Sequence, residues 1–147
     1  MEVRQAHPDE VKELLPLMRA YCDFYEFDPP DRGLREMLET LITDPEQGAV
    51  FIARDAGGKA VGLATMGWRW SASWGARIGH LEDLFVAPES RGEGMADALI
   101  EACADLCRKR GAPALDWLTK PDNHRAQAVY RRVGAQGSTW MEYDLDL

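Results

Sequence analysis

A chain of 147 residues with 46% hydrophobic and 29% charged content reads as one globular domain, residues 1–147, large enough to bury a core without disulfide or metal staples. Its formal net charge of −8 argues against nucleic-acid binding, which needs a basic stripe, and mildly favours a cationic substrate. No run of about twenty apolar residues is present to cross a bilayer, and the opening Met1-Glu2-Val3-Arg4-Gln5 lacks a signal-peptide layout, so a cytoplasmic protein with no membrane partner is expected.

Glu2 to His7 reads as a first strand, after which Pro8-Asp9-Glu10 opens a helix with acids in its first turn, as the dipole prefers. Val11, Leu14, Leu15, Met18, Tyr21 and Tyr25 recur at helical spacing and predict its buried stripe, which Pro29-Pro30 breaks. A second helix is predicted from about Asp31 to Thr43, with Leu34, Met37, Leu38, Leu41 and Ile42 on one face. Strands are predicted at Ala49 to Arg54, Ala60 to Trp70 and Arg77 to Val86, joined by a hairpin turn at Gly57-Gly58 and a looser one at Ser71 to Gly75. Met95, Ala98, Leu99, Ala102 and Leu106 define a helix over Gly92 to Arg110, closed by Gly111 and Pro113. Ala114 to Leu118 is a short strand, and Asp122 or Asn123 caps a fourth helix carrying Ala126, Val129, Tyr130 and Val133, which stops at Gly134. Ser138 to Leu145 is predicted as a last strand. The order is mixed α+β, an antiparallel meander followed by one strand-helix-strand crossover.

Cys22, Cys103 and Cys107 are an odd number, the latter two one helical turn apart, and are expected as small buried hydrophobes. His7 and His124 have no ligand-spaced companions, so no metal is expected.

The richest segment is Arg91-Gly92-Glu93-Gly94-Met95-Ala96, between the strand-like Leu84-Phe85-Val86 and the third helix. A glycine-bearing turn that opens a helix leaves main-chain N–H groups unpaired at the positive end of the dipole. Two glycines admit a bulky diphosphate, because no Cβ stands in the way and left-handed backbone angles carry no penalty. Arg91 adds a positive charge. The spacing matches neither the dinucleotide fingerprint nor the phosphate loop ending in Gly-Lys-Ser/Thr.

The run from Leu81 to Ala96 resembles instead the acetyl-CoA-binding segment of the GCN5-related N-acetyltransferases, whose pattern Arg/Gln-x-x-Gly-x-Gly/Ala is filled by Arg91, Gly94 and Ala96. A second motif, Asn123-x-x-Ala126-x-x-x-Tyr130-x-x-x-Gly134, lies at about the family's distance, and the likeness covers nearly the whole chain. The resemblance implies a central, mostly antiparallel twisted sheet of six to seven strands flanked by four helices. It implies acetyl-CoA as acyl donor, with the main chain of Leu84, Phe85 and Val86 pairing with the pantetheine arm. Residues Arg91, Gly92, Glu93, Gly94, Met95, Ala96 and Asp97 would hold the diphosphate, joined by Asn123 and Tyr130. A bulge in the strand before the turn would free a backbone group to face negative charge on the reacting carbonyl oxygen. Family members are often homodimers.

An amine with a pKa near 10.4 is neutral in only about one molecule in two thousand at pH 7, so its acetylation needs a base. Glu82 is the candidate base, directly or through water, and Tyr130 the candidate acid for the leaving thiolate. Simple alternation puts His80, Glu82 and Leu84 on one face and Leu81, Asp83 and Phe85 on the other, and a carboxylate in a central strand must be hydrogen-bonded or used. The Glu82-Asp83 pair looks most like the spermidine/spermine and thialysine acetyltransferase branch. Either acid could instead pair with an arginine or cap a helix. Tyr130 could be a core aromatic, Asn123 a plain N-cap, and His80 either a relay from Glu82 or a satisfied core histidine. An acceptor pocket is expected from Tyr21, Tyr25, Glu26 and their neighbours between Cys22 and Asp28, with Trp68 on the facing strand, because aromatics interleaved with acids suit an ammonium group. The core reading of Tyr21 and Tyr25 stands beside it.

The favoured function is transfer of acetyl from acetyl-CoA to a primary amine of a small molecule, such as a polyamine or amino acid, by direct attack. The alternatives are a noncatalytic acyl-CoA-binding module and an enzyme acting on a protein lysine or N-terminus.

Overall fold

Val50, Ile52 and Leu63 pack against the first two helices, whereas Phe51, Ala53, Ala64 and Met66 pack against the third. The central strands are thus buried on both faces, which is why they read as near-continuous apolar runs. The computed structural model describes all of residues 1–147. Its strands are β1 (Glu2–Gln5), β2 (Gly48–Arg54), β3 (Ala60–Ser71), β4 (Ala76–Val86) and β5 (Leu115–Asp116), and its helices α1 (Val11–Phe24), α2 (Asp31–Thr43), α3 (Met95–Lys109) and α4 (His124–Arg132). The sheet order is β1-β2-β3-β4-β5. All neighbours are antiparallel except β4 and β5, the crossover pair joined through α3.

Four differences from the sequence reading have physical reasons. Pro8–Glu10 forms a separate 3-10 turn ahead of α1. Helix α3 starts at Met95 rather than Gly92, because Gly92 and Gly94 hold φ of +85° and +81°, which no helical residue can. Strand β5 shrinks to Leu115–Asp116, since β4 bends away beyond that point. Ser138 to Leu145 forms no strand: with nothing paired beyond β5, an extended segment has no ladder to join. The sheet therefore has five strands, not six or seven.

The register of β4 also departs from simple alternation. Thr65 faces Asp83 and Met66 faces Leu81, so Glu82 is the extra residue of a β-bulge, as the family resemblance implied. Past it the faces exchange. Leu81 and Leu84 both pack toward α3, while Asp83 turns to the α1 side and meets Thr65 and Tyr21.

The three cysteines are free and buried. Burial pushes the Cys103 thiol up to about 12, far from a nucleophile's range. Cys107 lies so close to β4 that a Cβ on Gly79 would sit 2.4 Å from its sulfur, and only glycine fits there.

The N-terminal strand is clamped by one buried carboxylate. Glu10, 6% exposed, accepts from Arg4 at 2.7 and 2.8 Å, from Arg54 at 2.7 Å and from the His7 N–H at 2.8 Å. The Arg4 bond lowers its pKa most; burial opposes, and Arg54 and the His7 amide add to the lowering. Replacing Glu10 with glutamine should cost about 3 kcal/mol, because two guanidiniums lose their shared anion. A carboxylate with a depressed folded pKa contributes stability above its unfolded value, which fades as pH falls. Urea melts should show the largest gap between wild type and variant at neutral pH and a shrinking gap below about pH 4.5; equal stability at pH 7 would refute the clamp.

Candidate active site

Strands β4 and β5 share only the pairs Gly79–Leu115 and His80–Asp116. Beyond His80 they part, and the gap is closed by the head of α3 and the flank of α4. It holds a cavity of about 420 Å³, lined among others by Tyr21, Tyr25, Leu84, Phe85, Val86, Arg91, Gly92, Gly94, Met95, Ala96, Asp97, Asn123, Arg125 and Tyr130. Thus residues from one strand, two helix starts and a distant helix end meet in one place.

At the floor is the glycine turn. The main-chain N–H groups of residues 92 to 97 find no acceptor within the chain, and no side chain caps α3. Gly92 and Gly94 have open space where a Cβ would stand, so the amides are sterically accessible. Arg91 is fixed by its Nε bond to the Val86 carbonyl at 2.9 Å and lies 5.8 Å over the Phe85 ring. Its pKa is lowered by burial and then by the nearby Arg125 guanidinium. Two cations held close together, with Arg125 in no ion pair, form a seat for a multiply charged anion. Asp97 offers only its N–H, because its carboxylate accepts two bonds at 2.9 Å from Arg132. Glu93 is exposed and lies outside the cavity lining, so its contribution is also its backbone.

On the α4 side, Asn123 is the helix cap. Its Oδ1 accepts from the Ala126 N–H at 3.2 Å, capping the helix, while its amide nitrogen bonds nothing and the residue lines the cavity. Tyr130 stacks edge-on against Trp117 with ring centroids 5.2 Å apart. Burial raises its pKa, with the Tyr25 phenol adding to the rise, so it stays a neutral hydrogen-bond donor at physiological pH. Beside it lies the buried Thr119 Oγ1, which opposes that rise.

The opposite side of the site is built by α1, with the β4 bulge beside it. Tyr21, Tyr25, Phe24 and Phe27 form an aromatic cluster with centroids 5.0 to 5.7 Å apart. Glu26, at φ 60°, is left-handed where glycine is usual and ends α1 in a Schellman turn, Phe27 N–H to Cys22 carbonyl at 2.9 Å and Glu26 N–H to Asp23 carbonyl at 3.2 Å. Burial raises the pKa of Asp83, against the lowering effect of bonds from Thr65 and Tyr21. Burial, then Asp83, raises that of Tyr21. His80 Nδ1 lies 2.6 Å from Asp116 Oδ1, and Nε2 lies 3.8 Å from Glu82 Oε2. Burial opposes the ionisation of Asp116, but Arg69 and His80 outweigh it and hold its pKa below the usual carboxylate value. The result is a chain from Arg69 through Asp116 and His80 to Glu82, whose carboxylate stands 57% exposed at the bulge.

Not every expected contact is brought in. Glu82 and His80 lie outside the cavity lining; His80 stands near enough to Asp83 for its charge to be felt there, and Asp83 bonds Tyr21 of the cavity wall. Glu26 points to solvent. Trp68 is remote: its indole N–H bonds the Pro45 carbonyl at 3.1 Å, and Arg77 and Arg110 each lie 5.8 Å from its ring. Its strand carries it past the sheet's fork, so it anchors the entry to β2. Sequence reasoning weighed Asp83 only as the acid beside Glu82, and it missed Asp116 and Arg125. Only Arg125 left a local signal: the first turn of α4 holds His124 and Arg125 and no acid, against the dipole's preference.

Unpaired helix-head amides facing a fork between parallel strands define an acyl-CoA N-acyltransferase architecture. A profile of the Acetyltransferase (GNAT) family matches residues 14–135. The uncharacterized N-acetyltransferase YhfO of Bacillus subtilis (strain 168) is 27% identical over 139 residues, spanning 95% of this chain and 92% of that protein. The thialysine N-epsilon-acetyltransferase of Caenorhabditis elegans is 28% identical over 151 residues, spanning 99% of this chain and 91% of its own. The crystal structure of a probable acetyltransferase superposes with a TM-score of 0.86 at 26% identity, covering 100% of this chain and 98% of that one. The chain belongs to the GNAT family and is an N-acetyltransferase.

Proposed function

We propose that the chain moves the acetyl group of acetyl-CoA to a primary amine of a small molecule, a polyamine, an amino acid or a similar compound, by direct attack. One observation carries this reading. The unpaired amides of Gly92 and of Gly94 to Asp97 and the Tyr21–Tyr25 aromatic wall line the same cavity of about 420 Å³, so a diphosphate and an amine can meet in it. The amides, with Arg91 and Arg125, hold the diphosphate; Leu84 to Val86 offer main-chain groups to the pantetheine arm. When bound, acetyl-CoA supplies an activated thioester.

The chain's own groups then handle protons and charge. Lys120 already rests its ammonium 5.7 Å over the Tyr25 ring, so this wall accepts the charge type expected of the acceptor. Glu82, directly or through water, takes the amine's proton and is neutralised by it, while Asp116 holds His80 beside it, 3.8 Å away. Tyr130 donates a proton to the departing thiolate. The cysteines are buried away from the cavity, so attack by the amine itself, with no acetyl-cysteine, fits the geometry. The thialysine specificity named for the Caenorhabditis elegans relative supports a small-amine acceptor.

Free-thiol release from acetyl-CoA, followed with a panel of polyamines, amino acids and peptides, tests the reading. A small diamine or polyamine should accelerate release well above buffer. Acceleration by peptides alone would make the acceptor a protein. Tight acetyl-CoA binding with no acceleration by any amine would leave a binding module.

A further inference from the structure

Lys120 stands where an acceptor amine is expected, and it belongs to the chain itself. Of four lysines, all exposed, it is the one over an aromatic ring, its Nζ 5.7 Å from the Tyr25 centroid. It forms no ion pair, although the chain carries a net charge of −8. Its main chain is pinned, because the Lys120 carbonyl accepts from the Asn123 N–H at 3.0 Å and from Gln127 Nε2 at 3.2 Å. The residue before it, Thr119, lies beside Tyr130, and Tyr25 is near enough to feel the charge of that phenol. Tyr25 and Tyr130 both line the cavity. A fixed root thus carries a long, flexible stem whose amine rests on the wall shared with the candidate acid. The other lysines are placed elsewhere: Lys12 at the end of α1 away from Tyr25, Lys59 in the β2–β3 turn against Glu89 at 3.3 Å, and Lys109 at the end of α3 away from the anion seat.

We propose that Lys120 is a site of self-acetylation: with acetyl-CoA seated and no acceptor present, its amine takes the acetyl group from the coenzyme bound to the same chain. The proposal rests on the acetyl-transfer reading above and adds a built-in acceptor to the small amine. The Lys120 ammonium gives one proton to solvent, and the free amine attacks the thioester carbonyl carbon. A C–N bond forms, the C–S bond breaks, and the nitrogen sheds a second proton. The thiolate leaves as a thiol with a proton from Tyr130, which solvent replaces. Ammonium and thioester therefore give amide, thiol and one proton, with no further reactant. A small amine that takes the Tyr25 ring displaces the Lys120 ammonium from it, so the two acceptors exclude one another. Acetylation removes the charge and with it the attraction to the ring.

Incubation with acetyl-CoA carrying a deuterated acetyl group, without any amine, followed by peptide mapping in the mass spectrometer, tests this. Lys120 should gain the label about tenfold or more faster than Lys12, Lys59 and Lys109, because it is held beside the bound thioester. Its rate constant should be independent of protein concentration, should fall to that of the other lysines in Gly94→Asp, and should drop when an amine that is itself acetylated is added. Labelling of Lys120 no faster than of the other three would overturn the proposal. So would a rate that climbs with protein concentration, since another copy would then be the donor, or one that survives Gly94→Asp. If a small amine speeds thiol release while Lys120 stays unlabelled, this proposal alone falls; if neither accepts acetyl, the transfer reading falls with it.

Discussion

Replacing Gly94 with aspartate is expected to weaken acetyl-CoA binding by about 100-fold or more, the scale of two lost charge-assisted contacts. Gly94 sits at φ +81° at the head of α3, with open space where a Cβ would be. That space is the seat itself. A carboxylate there fills it and sets a negative charge against the incoming diphosphate, while its oxygens compete for the free amides of residues 92 to 97. Aspartate is among the few side chains that tolerate left-handed backbone angles and it complements a helix N-terminus. The fold should therefore survive, and an unchanged circular dichroism spectrum and melting temperature separate lost binding from lost structure. Calorimetric titration with acetyl-CoA reads the effect. Affinity within threefold of wild type would displace the anion seat from this turn.

The second large effect is expected from removing one oxygen. Tyr130→Phe keeps the ring on Trp117 and in the cavity wall but deletes the proton donor, so kcat should fall about 100-fold, within the usual range for a general acid. KM for acetyl-CoA should move by no more than about threefold, because the lost interaction is made mainly as the thiolate departs. Burial raises the Tyr130 pKa above its ordinary value near 10. The sign follows directly: the donor form persists through neutral pH, and its loss can depress the rate only above about pH 10. Glu82→Gln in the same assay isolates the other proton transfer. Unchanged turnover in the tyrosine variant would remove Tyr130 from the mechanism.

Much of the architecture was legible because it is written in local periodicity. The stripe Leu34, Leu38, Leu41 places α2 at Asp31–Thr43, and the apolar runs bounded by turn residues place β2, β3 and β4 to within a residue or so. The anion turn was legible because glycines at 92 and 94 announce backbone angles that other residues avoid. What depends on pairing between distant segments was not. The bulge at Glu82 is a register shift against β3, and it decides that Asp83 rather than Glu82 becomes the buried carboxylate. Asp116 joins His80 across 36 residues, through a strand so short that its composition says little. Trp68 looked like a pocket wall because aromatics suit amines, yet position along the strand sends it to Pro45. The closing segment read as a strand from its own alternation, but a strand exists only with a neighbour, and that neighbour cannot be read from one chain's periodicity.

The His80–Asp116 pair is the last rung before β4 and β5 diverge, and it is reinforced by a side-chain bond of 2.6 Å between the same two residues. A zipper with a rivet at its final tooth neither creeps further shut nor tears further open. The mouth that receives the coenzyme thus has its width set from behind, by a polar fastening at the vertex rather than by the walls that touch the ligand.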